Sequence, residues 1–115
     1  MTVRKHGTTT FMLPGGKPER GESPLAAARR ECLEELGIVL DSDVLSPLGV
    51  FDAPAVHEPG QTVTATVFEH PAIEGRPHAE IAEIAWAPLD DARVAPLLRD
   101  AVFPALRSSA VRAVP

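Results

Sequence analysis

Gly15-Gly16-Lys17-Pro18-Glu19-Arg20-Gly21-Glu22-Ser23-Pro24-Leu25-Ala26-Ala27-Ala28-Arg29-Arg30-Glu31-Cys32-Leu33-Glu34-Glu35-Leu36-Gly37-Ile38 opens with three glycines in seven residues, a loop that no regular element would hold. Ser23 followed by Pro24 marks a helix start: Ser accepts from a free backbone amide, and Pro has none to satisfy at the first helical position. Gly37 marks its end. Between them Leu25, Ala28, Cys32 and Leu36 recur at helical spacing and form an apolar stripe. Glu31, Glu34 and Glu35 fall within one arc of about 100°, away from the Leu25, Cys32 and Leu36 stripe. Three carboxylates there oppose folding twice. Like charges at these spacings repel by about 0.2–0.5 kcal/mol per pair. Each also faces the negative end of the helix dipole, at about 0.3–1 kcal/mol. Two readings remain open at this point: a solvated acidic face neutralised by Arg29 or Arg30, or a cradle for a hard divalent cation, which prefers carboxylate oxygens and bridges to phosphate.

Outward from this segment, the composition narrows the choice. The chain has 115 residues, 44% of them hydrophobic, and a formal net charge of −5. That predicts one domain, residues 1–115, with enough apolar surface for a single core. One Cys provides neither a disulfide framework nor a zinc cluster, so the expected setting is a reducing cytoplasm. No apolar run is long enough for a signal peptide or a membrane span, and no membrane role is expected. An acidic chain without a basic run is unsuited to general nucleic-acid binding. If the ligand is a phosphate compound, a metal must carry much of the positive charge.

Strands are expected at Thr8 to Leu13, Val44 to Phe51, Gln61 to Phe68 and Ile81 to Trp86. The third alternates Val63, Ala65 and Val67 against Thr62, Thr64 and Thr66. A short helix is expected at Leu89 to Val94, and a second at Pro96 to Phe103, broken by Pro104, with a frayed tail after Arg107. Strands on both sides of a well-capped helix suggest an α+β or three-layer arrangement with a mixed sheet covered by helices.

The order Gly16, five residues, Glu22, seven residues, Arg30-Glu31-Cys32-Leu33-Glu34-Glu35-Leu36-Gly37-Ile38 resembles the Nudix signature at every fixed position. Cys32 is smaller than the usual Leu, Ile or Val but is also a buried hydrophobe. Leu13-Pro14-Gly15 and the stretch Trp86-Ala87-Pro88-Leu89-Asp90 strengthen the likeness. The resemblance to MutT-like Nudix hydrolases implies an α/β/α sandwich with a mixed sheet. It also implies a Mg²⁺-dependent hydrolase, with Mn²⁺ as the substitute, that attacks phosphorus in a nucleoside diphosphate linked to another group. NTPs and ADP-ribose are the expected kinds of small-molecule substrate.

By that resemblance, Glu31, Glu34 and Glu35 are the metal ligands and the Gly15 carbonyl a further oxygen. Arg30 orients a helix carboxylate, and Glu22 pairs with Arg30. Glu80, ahead of the last expected strand, is favoured over Glu83 as the additional acid and ligand, leaving Glu83 to pair with a basic neighbour. Glu31 and Glu80 both stand as the general base. Lys17 and Arg4 are the candidate substrate-binding cations, with Lys5 beside Arg4 along the same phosphate path.

The four histidines, His6, His57, His70 and His78, lack ligand spacing and read as surface or hydrogen-bonded side chains. Trp86 reads as core, and Phe51 and Phe68 as strand aromatics. Residues 51–60 read as a specificity loop between strands. Nudix domains enter the sheet with a strand before the equivalents of Val3 to His6, which this chain lacks; an uncovered sheet edge invites pairing, so a homodimer is expected. The competing function class is a Nudix-like sensor that binds a nucleotide without hydrolysing it.

Overall fold

A computed structural model of the protein describes residues 1–55, 58–86 and 93–107. Helix α1, Pro24–Leu36, begins and ends where its sequence signals stand. The Ser23 side chain accepts from the Ala26 N–H, and Gly37 takes φ 66°, a left-handed position glycine adopts without a side-chain penalty.

Four strands accompany it: β1 Thr2–Lys5, β2 Ser46–Pro54, β3 Thr62–Glu69 and β4 Ile81–Ala85. They form two antiparallel pairs, β1 with β4 and β2 with β3, in place of one continuous sheet. The expected α/β class is therefore what the structure shows, with smaller sheets than anticipated. Parallel pairing among the described residues is confined to the single bridge between Phe11 and Val94.

The strand expected at Thr8 to Leu13 shrinks to Phe11 and Met12. The reason is local: the Thr8 N–H and hydroxyl both donate to the Lys5 carbonyl, and this turn consumes the segment's first residues. Met12 exchanges backbone hydrogen bonds with Val3, both 2.8 Å, while Phe11 pairs with residues 93–95. These two residues link β1 to residues 93–95.

β3 alternates as its sequence predicts, Thr62, Thr64 and Thr66 outward and Val63, Ala65 and Val67 inward. β2 starts two residues later than expected and runs through Pro54, so residues 51–54 of the expected specificity loop are strand. The hairpin is closed by the Ala55 N–H donating to the Gln61 carbonyl at 3.0 Å.

The C-terminal helical segment covers residues 96–107 and passes through Pro104 without a break, contrary to expectation. Its centre, Leu98–Val102, is a π turn, and the Phe103 N–H reaches back to the Leu98 carbonyl. Pro104 lacks an N–H and its ring crowds the preceding turn; a widened turn accommodates both. Arg93 and Val94, expected to end a helix, are a turn residue and a bridge residue; residues 89–92 of that expected helix, and the tail beyond Arg107, lie outside the described residues.

Two apolar clusters hold these parts together. Val3, Cys32, Leu36, Ile38, Leu40 and Ile81 pack α1 onto β1 and β4. Phe11, Val67, Val94, Leu98, Val102 and Phe103 pack the C-terminal helix onto β2 and β3. Burying a side chain such as Leu36 or Leu98 contributes roughly 1.5–3 kcal/mol. Trp86 belongs to neither cluster and is 59% exposed, against the expectation of a core residue: it follows the last residue of β4, beyond the packed face.

Candidate active site

Ala27, Glu31 and Glu35 follow one another at four-residue spacing, and the glycine loop lies over this edge of α1. The Gly15 N–H donates to Glu35 Oε1 at 3.1 Å. At Gly16 an added methyl group would stand 2.8 Å from Glu31 Oε1, so the Glu31 carboxylate would have to shift to admit it. The arc of glutamates thus borders the core instead of facing water throughout.

The consequence is sharpest at Glu35, which is 2% exposed. Its Oε2 is buried without a hydrogen-bond partner. Burial pushes its carboxyl up to about 7, with the Glu31 and Glu80 charges adding to the effect; the Gly15 N–H and Lys5 oppose it. Glu31 is mostly covered, whereas Glu34 is largely exposed. Cys32, on the apolar stripe of α1, is pushed up to about 11 by its own burial and then by Glu35 and Glu31. It is a packing residue, not a reactive thiol.

Arg30 ties the loop to the helix. Its Nε meets Glu22 Oε2 at 2.9 Å and its Nη2 meets Glu22 Oε1 at 3.0 Å, a forked pair that holds the Glu22 carboxyl below its ordinary range. The same guanidinium donates to Glu31 Oε1 at 2.7 Å, to the Lys17 carbonyl at 3.4 Å and to Glu34 Oε2 at 3.5 Å. Glu22 also accepts from the Glu19 N–H, which fixes the turn ahead of the helix. Lys17 itself projects into solvent from this loop.

The segment carrying Glu80 docks on the end of α1. The His78 N–H donates to the Glu35 carbonyl at 2.8 Å and the Arg76 N–H to the Leu36 carbonyl at 3.0 Å, satisfying two carbonyls the helix leaves free. Glu80 is exposed and its Oε1 lies 3.5 Å from Lys5 Nζ. Glu83 pairs instead with Arg4 at 3.0 Å, and Arg4 also donates to the Thr8 carbonyl. Arg4 therefore sits with Glu83 and Thr8, and Lys5 with Glu80. His70 links elements rather than ligands: it accepts from the Asp41 N–H and its Nδ1 faces the Pro71 carbonyl. His57 lies outside the described residues.

With the side chains so arranged, no three His, Cys, Asp or Glu residues among those described are gathered closely enough to hold a metal ion. The donor set nonetheless suits a hard cation, being all carboxylate and carbonyl oxygen with one buried oxygen unpartnered. Sequence reasoning did not find two features. The burial of Glu35 depends on the loop folding over it, and Lys5 meets Glu80 only because β1 pairs with β4. Neither leaves a local signal.

This loop-and-helix site sits in a fold with known counterparts. The NUDIX domain family model matches residues 1–107, and the chain belongs to that family, the Nudix hydrolases. It is 35% identical over 85 residues to a nucleoside triphosphate pyrophosphatase/Nudix hydrolase fusion protein of Bifidobacterium longum (strain NCC 2705), covering 71% of this chain and 17% of that protein. The chain thus spans under a fifth of that relative's length. A MutT NUDIX hydrolase from Burkholderia pseudomallei superposes with a TM-score of 0.71 at 27% identity, over 92% of this chain and 84% of that one. An Ap4A hydrolase from C. elegans shares the fold at 19% identity and a TM-score of 0.63, over 96% and 83% of the two chains. No helix among the described residues is long and apolar enough to cross a membrane.

Proposed function

We propose that the chain hydrolyses the diphosphate linkage of a small nucleoside derivative in a Mg²⁺-dependent reaction, with Mn²⁺ able to substitute. The observation that carries this reading is the Glu35 carboxylate, buried under the glycine loop with one oxygen unpartnered, in a chain of the Nudix hydrolase family. An unpaired buried anion is strongly disfavoured; a cation at that oxygen removes the cost. The proposed ligands are Glu31, Glu34, Glu35, Glu80 and the Gly15 carbonyl. When bound, the cation supplies charge neutralisation at the diphosphate and a more acidic water.

The chain's own residues do the rest. Arg30, anchored by Glu22, holds Glu31 and Glu34 at the loop's edge, and taking up a cation requires both to turn from Arg30 towards Glu35. Glu31 and Glu80 are the candidate general bases. Lys17, exposed on the loop, and Arg4 are the proposed phosphate contacts, Arg4 exchanging its Glu83 partner for substrate. We place the protein in the cytoplasm as a single domain, and as a homodimer because among the described residues β2, β3 and β4 each have one edge without a strand partner, open to pairing. Sedimentation as a monomer would remove the dimer.

One observation favours the sensor reading: Glu31 is held by Arg30 and no trio of acids is assembled among the described residues. A phosphate-release screen separates the two. With Mg²⁺ and a coupling phosphatase, NTPs, ADP-ribose, dinucleoside polyphosphates and nucleotide sugars are tested together. Release from at least one class, abolished by chelation, is expected. Tight binding without release supports the sensor, and neither binding nor release overturns both.

A further inference from the structure

We propose that Lys5 is a positioning residue, holding the Glu80 carboxylate beside Glu35 for the metal-dependent reaction; the inference rests on the function proposed above. Lys5 is the last residue of β1, and its Nζ lies 3.5 Å from Glu80 Oε1. The backbone brings the two together by three separate devices. The His6 N–H donates to the Glu80 carbonyl at 2.9 Å, fastening the residue to the end of β1. The Ile81 N–H donates to the His78 carbonyl at 3.0 Å, closing a turn in which Ala79 takes φ 52°. A left-handed non-glycine residue costs of order 1 kcal/mol and persists where the surroundings impose it, commonly at functional sites.

The third device is the register of β4. Arg4 faces Glu83 but Lys5 faces Ile81, so Ala82 is an extra residue on the β4 side. A bulge of this kind re-aims the side chains that follow it. Here it sends Ile81 into the core and leaves Glu80 against Lys5. The turn is in turn docked on α1, since the His78 N–H holds the Glu35 carbonyl.

Stability does not account for the pair. Lys5 is half-buried and Glu80 exposed, and an ion pair open to solvent on one side contributes little to stability. A strained turn, a bulge and a backbone clasp converging on so weak a bond point to placement of the carboxylate. Arg4, one residue earlier, is on Glu83 and cannot serve both.

The test is a cycle of Lys5→Met, Lys5→Arg, Glu80→Gln and the double variant Lys5→Met/Glu80→Gln in the full chain. Lys5→Met is expected to lower kcat about tenfold, the loss typical of a group that orients a ligand, with KM changed less than about twofold. Lys5→Arg recovers most of kcat, and Lys5→Met adds nothing once Glu80 is Gln. Mn²⁺ affinity, read by water-proton relaxation, is the readout independent of turnover. Lys5→Met is expected to weaken it as Glu80→Gln does, without additivity. Tighter Mn²⁺ binding would make Lys5 a mere opposing charge, and a raised KM at constant kcat would make it a phosphate contact. Either result, or additive losses, overturns the inference while an active parent leaves the proposed function standing. A parent that neither hydrolyses nor binds Mn²⁺ overturns both.

Discussion

Glu35 is a buried carboxyl with one oxygen unpartnered. Its carboxyl is raised by burial to about 7 from an ordinary value of 4.5. An acid that holds its proton more tightly when folded stabilises the fold below the unfolded value and loses that contribution as pH rises through the folded one. Metal-free protein should therefore be most stable below about pH 4.5 with respect to this group, and weaken between there and about pH 7 by at most about 3 kcal/mol. Denaturant melts across that range check the slope. Glu35→Gln removes the buried charge, so at pH 8 without metal it should melt above the parent while hydrolysis falls by about a thousandfold or more. An equally active Glu35→Gln would sink the ligand assignment. Gly16→Ala acts on the neighbouring carboxylate, because its methyl would meet Glu31 Oε1 at 2.8 Å. Lower kcat with circular dichroism unchanged is the expected result.

At the level of elements, α1 was legible because every signal that sets it is local. Ser23, Pro24 and Gly37 act within a turn of their own positions. Ser23→Ala should cost about 1 kcal/mol in chemical denaturation. Gly37→Ala should cost at least as much, since φ 66° strains any side chain and the new methyl lies 3.1 Å from His78 Nε2. The strands were less legible. β2 begins at Ser46 only because β3 offers partners there, across a register irregularity between Pro47 and Gly49. Pro104 read as a stop because its effect on a regular helix is severe; the π turn at Leu98–Val102 relieves it, supported by Leu98 and Val102 packed in the core.

For the whole molecule, stability rests on two apolar clusters bridged by Phe11 and Met12. Leu98 is fully buried, and Leu98→Ala should destabilise by about 2–5 kcal/mol through lost transfer energy and a cavity. A ligand that binds only the folded state adds stability by mass action. Mg²⁺ at about a hundred times its dissociation constant should contribute about 3 kcal/mol, seen as a rise in melting temperature that a chelator reverses and that Glu35→Gln lacks. No rise in the parent would count against the carboxylate cradle.

The sequence by itself determined the capped helix, the glycine loop ahead of it, the alternation of β3 and an order of acids that resembles the Nudix signature. Each follows from contacts within a few residues, where side-chain chemistry and backbone geometry act directly. Tertiary structure alone decided that Glu35 is buried while Glu34 is exposed, that Trp86 stands in solvent, and that Glu80 meets Lys5 instead of Arg4. Those outcomes depend on which distant segment covers a face: the glycine loop over α1, the end of β4 left uncovered, and a one-residue bulge in the β1–β4 pairing. Periodicity tells which side chains share a face, and only the folded chain tells what lies against it.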